Sequence, residues 1–101
     1  MRPHQVFAAL ADPTRLEVLT RLARNGPSTA TELSSNLPIS RQAVTKHLAA
    51  LDAAGLVERR PSGREVRYSF DPGPLGDLVS WAENVGDTWD RRLARLGRSV
   101  E

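Results

Sequence analysis

The sequence predicts a mainly helical chain that carries one small β-hairpin near its middle. Two observations lead to this fold class. Apolar residues recur every three or four positions in four stretches before residue 55 and in one longer stretch after residue 72, as in amphipathic helices. Between these stretches, apolar and polar residues alternate around a Pro-Ser-Gly turn, which is typical of a hairpin. The predicted element order is therefore α-α-α-α-β-β-α.

The composition is that of one small globular domain, residues 1–101. Apolar residues make up 40% of the chain and charged residues 26%, which suffices for a modest core. No run approaches the roughly 20 apolar residues of a membrane-spanning helix, and no apolar signal sequence follows the N-terminus. We therefore expect a cytoplasmic protein without membrane contact. The absence of cysteine excludes disulfides, thiolate metal ligands and a cysteine nucleophile.

The first two predicted helices are separated by a helix-start signal. A short helix is predicted over residues 3–11. Asp12 then supplies an N-cap, and Pro13 occupies the first helical position, where its missing N–H costs nothing. Gly26 ends the second helix. The side of this helix that faces the core is expected to consist of Leu16, Leu19, Leu22 and Ala23.

The next two helices are separated by only a few residues. Thr29 and Glu32 match a capping box at the start of the third helix, and Pro38 breaks that helix. Ser40 is a good N-cap for the fourth. Two helices joined by such a tight turn form a helix-turn-helix pattern, although tight helical corners also occur in proteins that never bind DNA.

The fourth helix, about residues 40–53, has one apolar and one polar side. Val44, Leu48 and Leu51 recur at helical spacing on the apolar side. In a DNA major groove, arginine can pair with guanine and glutamine with adenine, and threonine can contact a thymine methyl group. The alternative is a solvated surface helix. The outward polar side is formed by Arg41, Gln42, Thr45 and Lys46.

The predicted hairpin, about residues 56–70, is rich in arginine. The segment 40–70 holds six basic and three acidic residues, a net charge of +3, whereas the rest of the chain has −1. A basic hairpin directly after a helix-turn-helix is typical of the wing of a winged helix, which contacts phosphates or a minor groove. Alternatively, the arginines only protect an edge strand from pairing. They are Arg59, Arg60, Arg64 and Arg67.

The last predicted helix, about residues 72–96, carries an apolar stripe that runs as far as Leu96 and is longer than a small core needs. Such surplus apolar surface usually meets a second copy of the chain, so we expect a dimer through the terminal helices. An intrachain core position remains the alternative for the two tryptophans. The predicted interface residues are Val6, Phe7, Leu10, Leu78, Trp81, Val85, Trp89 and Leu93.

A string of motifs in this order resembles the ArsR-type (ArsR/SmtB) winged helix-turn-helix repressors. The motifs are LADPTRL (10–16), Glu32-Leu33, SxxxVxxHLxxL (40–51) and AGLV (54–57). The resemblance implies a homodimer that binds a pseudo-palindromic operator and represses transcription, commonly of its own operon. It also implies that His47, at the position of a recognition-helix histidine, packs or contacts the DNA backbone.

The terminal helix resembles that of the metal-independent subgroup. In metal-sensing members a thiolate pair falls in the helix before the recognition helix, where this chain has Ser34 and Asn36. Their second site uses histidine on the terminal helix, and this terminal helix has none. The resemblance therefore implies no metal and no cofactor, although Asp87 and Asp90 across a dimer could still collect a weak ion.

The leading hypothesis is a sequence-specific DNA-binding regulator whose partners are double-stranded DNA and a second copy of itself. No Ser/His/Asp arrangement, Gly-rich phosphate loop or metal-ligand cluster supports an enzyme. A winged helix for protein–protein contact and a ligand- or metal-responsive sensor with a non-standard site remain alternatives, and the effector is open. The predicted DNA-binding residues are Ser40, Arg41, Gln42, Thr45, Lys46, His47, Arg59, Arg60, Arg64 and Arg67.

Overall fold

A computed structural model describes residues 3–100, with side chains for residues 3–95. The predicted fold class is confirmed, with one additional strand. The side chain of Leu96, at the end of the predicted stripe, lies outside the described residues. The elements in chain order are α1 (Pro3–Leu10), α2 (Pro13–Asn25), β1 (Ser28–Thr29), α3 (Ala30–Ser35), α4 (Arg41–Ala53), β2 (Val57–Ser62), β3 (Glu65–Phe70) and α5 (Gly73–Val100).

The additional strand, β1, turns the predicted hairpin into a three-stranded antiparallel sheet of order β1-β3-β2. Ser28 lies opposite Tyr68, and Thr29 lies opposite Arg67. Two residues are too few to show an alternating pattern, so the sequence carries no strand signal here. The consequence is that β3 contacts the segment leading into α3 as well as its hairpin partner β2.

The helix starts follow the predicted capping residues. Asp12, Thr29 and Ser40 each have extended backbone geometry and accept a backbone N–H through a side-chain oxygen. These bonds satisfy donors that the first helical turn leaves free. The shortest distances, to the N–H groups of Thr14, Glu32 and Ala43 respectively, are 2.8, 3.1 and 3.1 Å.

The core lies between α1, α2, α4 and the start of β2. The α2 side of it is centred on Val18, Leu19 and Leu22. The prediction for Leu16 and Ala23 is wrong, because both are exposed, Leu16 to 45%. Leu16 precedes Val18 by two residues, which turns it to the opposite side of a helix. The largest fully buried side chains are Leu22, Leu48, Leu51, Leu56, Val6, Val18 and Val44.

The terminal helix α5 packs against α1 and then extends past the rest of the domain. Leu75 and Leu78, near its start, contact the core. Its 28 residues span about 42 Å, which explains why the molecule measures 65 Å in its longest dimension but only 25 and 20 Å in the others. Among the described residues, no helix combines the length and the apolar character needed to cross a membrane.

An uncovered apolar face runs from α1 along α5, and we call it the terminal face. Phe7 and Trp81 meet edge to face across it, with ring centroids 5.6 Å apart. The predicted role of Val6 there is wrong, because this side chain is fully buried inside the protomer and has no surface left for a partner. Leu10 and Leu78 are half-buried against the core. The terminal face exposes Phe7, Val79, Trp81, Val85, Trp89 and Leu93 by 37–58%.

Candidate nucleic-acid interface

The outer side of α4 is polar and exposed. Arg41, Gln42, Thr45 and Lys46 are all exposed. Val44 and the two leucines that follow it on the opposite side are fully buried. The helix therefore has a fixed orientation that turns these four side chains outward. Ser40, at its N-cap, is also exposed.

A groove lies between α4 and the wing, which we define as residues 57–70. It has a volume of about 280 Å³. Arg41 and Thr45 of α4 line it together with Arg59 and Arg64 of the wing, and Glu65 contributes one carboxylate. Three arginines from two separate elements thus line one open space, which we call the basic groove. Such an arrangement suits a polyanion such as a nucleic-acid backbone.

The wing arginines fall into two pairs with different surroundings. Arg59 lies opposite Tyr68 in the ladder and lines the basic groove with Arg64. Arg60 lies opposite Arg67, and each of these two forms ion pairs with acidic neighbours. The guanidinium of Arg60 is 3.0 Å from a carboxylate oxygen of Glu58, while that of Arg67 is 3.2 Å from Glu32 and 3.4 Å from Glu65.

His47 is set apart from the exposed side of α4. It is half-buried, and its Nδ1 atom is fully buried with no hydrogen-bond partner among the described residues. The ring lies near the carboxylate of Asp12, at the start of α2. Only the other ring nitrogen of His47 is therefore left for a phosphate. Its predicted contact with the DNA backbone is thus limited to one nitrogen atom.

The pKa of Asp12 lies below its usual value of 3.8. The main cause is the backbone N–H of Arg15, which donates to the carboxylate at 3.0 Å. Desolvation works in the opposite direction, while the N–H of Thr14 and the charges of His47 and Arg15 lower the pKa further. Because the folded pKa is depressed, ionised Asp12 stabilises the folded state at pH values above 3.8.

We expect Asp12→Ala to lower the melting temperature at neutral pH. The difference from the wild type should shrink as the pH falls below 3.8 and through the lower pKa of the folded state, because the wild-type carboxylate then becomes protonated as well. Thermal unfolding followed by circular dichroism between about pH 7 and pH 2 measures this. The exposed Asp52 of α4 offers the control Asp52→Ala. A difference that stays constant at all pH values would contradict the role of the ionised carboxylate.

Two features of this region were not predicted from the sequence. Glu32 was identified only as a capping residue, yet its carboxylate also contacts Arg67, 35 positions further along the chain. Thr31, at the start of α3, lines the basic groove. Neither contact follows a local periodicity. No sequence signal points to either contact, because Glu32 and Thr31 lie more than 25 positions before the wing arginines.

Within residues 3–95, no three His, Asp or Glu side chains cluster closely enough to hold an ion. Asp87 and Asp90 are exposed on α5. Ser34 and Asn36 bond within α3 or at its end: the Ser34 hydroxyl donates to the carbonyl of Thr31 at 2.9 Å, and the Asn36 amide donates to that of Glu32 at 3.2 Å.

Comparison with known proteins matches the chain closely to DNA-binding regulators. Residues 10–60 match the family model described as a helix-turn-helix domain. The HTH-type transcriptional regulator Rv2034 of Mycobacterium tuberculosis is 45% identical, over 98% of this chain and 89% of its own length. The solved structure of an ArsR-like transcriptional regulator from Rhodococcus sp. RHA1 is also 45% identical, with a TM-score of 0.86 over 98% of this chain and 92% of its own.

A more distant solved structure bears on assembly. It is the homodimeric winged helix-turn-helix DNA-binding domain of Mb0332 from Mycobacterium bovis, described as a possible ArsR-family transcriptional regulator. It is 27% identical to this chain, covers 83% of it and 77% of its own length, and has a TM-score of 0.66.

Proposed function

Because the chain belongs to the ArsR-type family of winged helix-turn-helix transcriptional repressors, we propose that it binds an inverted-repeat operator as a homodimer and represses the adjoining promoter. The observation that carries this proposal is the basic groove, which joins Arg41 of the exposed α4 side to Arg59 and Arg64 of the wing. An α-helix fits the DNA major groove, and a neighbouring basic hairpin can then follow the phosphate backbone. The protein acts in the cytoplasm, where its DNA target lies.

The exposed residues divide by chemistry into two roles. Gln42 and Arg41 have the side chains that pair bidentately with adenine and guanine, and Thr45 can contact a thymine methyl group. The Thr45 hydroxyl donates to the carbonyl of Arg41 at 2.9 Å, which leaves its methyl group for apolar contact. Lys46 and the cap Ser40 contact neighbouring phosphates. Arg59 and Arg64 hold the backbone beside the wing, because phosphate contacts set affinity and register but carry no sequence information.

The terminal face supports assembly into a homodimer. Trp81, Val85, Trp89 and Leu93 recur at helical spacing and remain 37–58% exposed in the protomer. A contiguous apolar face of this kind is unusual on a monomer, and a two-fold axis covers both copies of it at once. The homodimeric state of Mb0332 is in line with this arrangement. Two-fold symmetry then requires two inverted half-sites whose centres lie about 34 Å, or one helical turn, apart.

We propose that operator binding requires no metal ion. Ser34 and Asn36 lack the thiolates that bind soft metals tightly. Their side chains also donate to backbone carbonyls, as described above. Repression follows from occupancy, since a dimer on the promoter excludes the polymerase.

Selection from a pool of random DNA duplexes tests the proposal. The full-length protein is incubated with the pool, bound duplexes are recovered over several rounds, and the recovered DNA is sequenced, once with EDTA and once without. We expect one enriched inverted repeat, the same in both arms. Recovery of unrelated sequences would contradict sequence-specific binding, and enrichment only without EDTA would contradict metal independence.

A further inference from the structure

The wing is connected to the helix-turn-helix by a charged network around Arg67. We propose that Arg67 acts as a positioning residue, which holds the wing against α3 through Glu32 and does not bind a DNA phosphate itself. This inference rests on the proposed function, because the wing position is measured through DNA affinity. It assigns Arg67 a role different from that of the other wing arginines, with which it was grouped on sequence grounds.

The geometry of the Arg67 guanidinium supports this role. One terminal nitrogen donates to a Glu32 carboxylate oxygen at 3.2 Å, and the other donates to Glu65 at 3.4 Å. The same Glu32 oxygen accepts a hydrogen bond from the Thr29 hydroxyl, also at 3.2 Å. Both terminal nitrogens of the guanidinium therefore donate to carboxylates, in an orientation that the cap of α3 helps to fix.

The network joins β1, α3 and β3, which together set the orientation of the wing. Thr29 belongs to β1 and lies opposite Arg67 of β3, and it also caps α3 by accepting the N–H of Glu32 at 3.1 Å. The helix α3 leads through a short turn into α4. A contact between Glu32 and Arg67 therefore fixes the direction of the wing relative to the side of α4 that contacts DNA.

The ion pair of Arg60, on the same hairpin, is a local one and serves as a comparison for that of Arg67. It pairs with Glu58 of its own strand, only two positions earlier, and its side chain is 71% exposed. The Arg67 side chain is 41% exposed and reaches a different element. Breaking the Arg60 pair leaves the wing direction unchanged, whereas breaking the Arg67 pair removes a link between the wing and α3.

The two roles for Arg67 predict opposite effects at Glu32. If Arg67 bound a phosphate, removing the nearby negative charge would free the guanidinium and raise DNA affinity. If Arg67 positions the wing, Glu32→Gln weakens the link and lowers affinity. Glutamine keeps the capping box, so the start of α3 is retained. Because exposed ion pairs are individually weak, we expect about a five-fold loss of affinity from Arg67→Ala and a smaller one from Glu32→Gln.

The test is a salt series of DNA titrations with the selected operator, using the full chain. The variants are Arg67→Ala, Glu32→Gln and the double variant that carries both changes. Arg59→Ala serves as the comparison for a lost phosphate contact, and Arg91→Ala, on the exposed side of α5, serves as the charge control.

Arg59→Ala should reduce the slope of log affinity against log salt by about 0.9, as expected for one lost phosphate contact. Arg67→Ala should lower affinity at every salt concentration without changing the slope. The double variant should bind the operator as tightly as Arg67→Ala does, because the two changes remove the same link.

A smaller salt slope for Arg67→Ala, or higher affinity for Glu32→Gln, would overturn the proposal. Amide hydrogen exchange on the DNA-free proteins separates this inference from the proposed function. Exchange across residues 57–70 should be at least about three-fold faster in Arg67→Ala than in the wild type or in Arg60→Ala. Unchanged exchange would overturn the positioning role even if DNA binding is intact. Failure of the wild type to bind DNA would instead refute the proposed function, while the exchange result would still test the link.

Discussion

Replacing Trp89 with glutamate should convert the homodimer into monomers and lower operator affinity about a thousand-fold, to near the level of non-specific binding. The indole is 54% exposed in the protomer, so the change leaves the protomer core intact. The guanidinium of Arg92 lies over the indole, with its carbon 5.7 Å from the ring centroid. In a dimer, however, the new carboxylate would be buried in an apolar interface, where an unpaired charge is strongly unfavourable.

Sedimentation equilibrium measures the oligomeric state of this variant, and fluorescence anisotropy measures its affinity for the operator. Glu83→Gln, at an exposed position of the same helix outside the apolar stripe, is the matched control and should remain dimeric with wild-type affinity. The melting temperature of the Trp89→Glu variant should also be measured, to show that its monomer still folds. Some decrease is expected, because dimer formation by itself stabilises the folded protein. A Trp89→Glu protein that stays dimeric and binds the operator normally would contradict the proposed interface.

Replacing Gln42 with alanine should cost about 1–3 kcal/mol of binding free energy, and only on operators with the preferred base pair at the contacted position. This corresponds to a loss of about five- to 150-fold in affinity. The side chain is exposed on α4 beside Arg41 and Thr45, so the change does not disturb the core. Because glutamine is uncharged, the salt slope should stay that of the wild type.

The measurement is a set of titrations on operators that carry each base pair in turn at the contacted position. Arg59→Ala is the contrasting variant, since a lost phosphate contact should weaken binding to all these duplexes by a similar factor. Gln42→Ala should instead bind them with nearly equal affinity. If Gln42→Ala still distinguishes the operator from random DNA as well as the wild type does, the assigned role of Gln42 in base recognition is wrong.

Local signals were sufficient for most of the fold. The caps at Asp12, Thr29 and Ser40 depend on a side chain and the two or three residues that follow it, so their sequence signatures carry over directly into structure. The inner side of α4 also follows from helical spacing alone. β1 was missed because its two residues gain strand character only through pairing with β3, about 40 positions away.

The side chains at the surfaces were harder to predict. Helical spacing puts Leu16 among the apolar positions of α2, but only the packing of α4 against that helix decides which of them are buried. Val6 was predicted at the dimer interface because it shares one side of α1 with Phe7 and Leu10, yet it is fully buried in the core. The pairing of Arg67 with Glu32 joins residues 35 positions apart. No local pattern encodes a contact of that range, so the wing arginines looked alike in sequence.

The most direct test of the account is one titration of labelled DNA with the wild-type dimer. The selected inverted repeat is compared with a scrambled duplex of equal length and composition, at several salt concentrations, by fluorescence anisotropy. We predict that the inverted repeat binds at least about a thousand-fold more tightly, with one dimer per duplex, and that binding to both weakens steeply with salt. Equal affinity for the two duplexes would contradict the central claim that this chain recognises a DNA sequence.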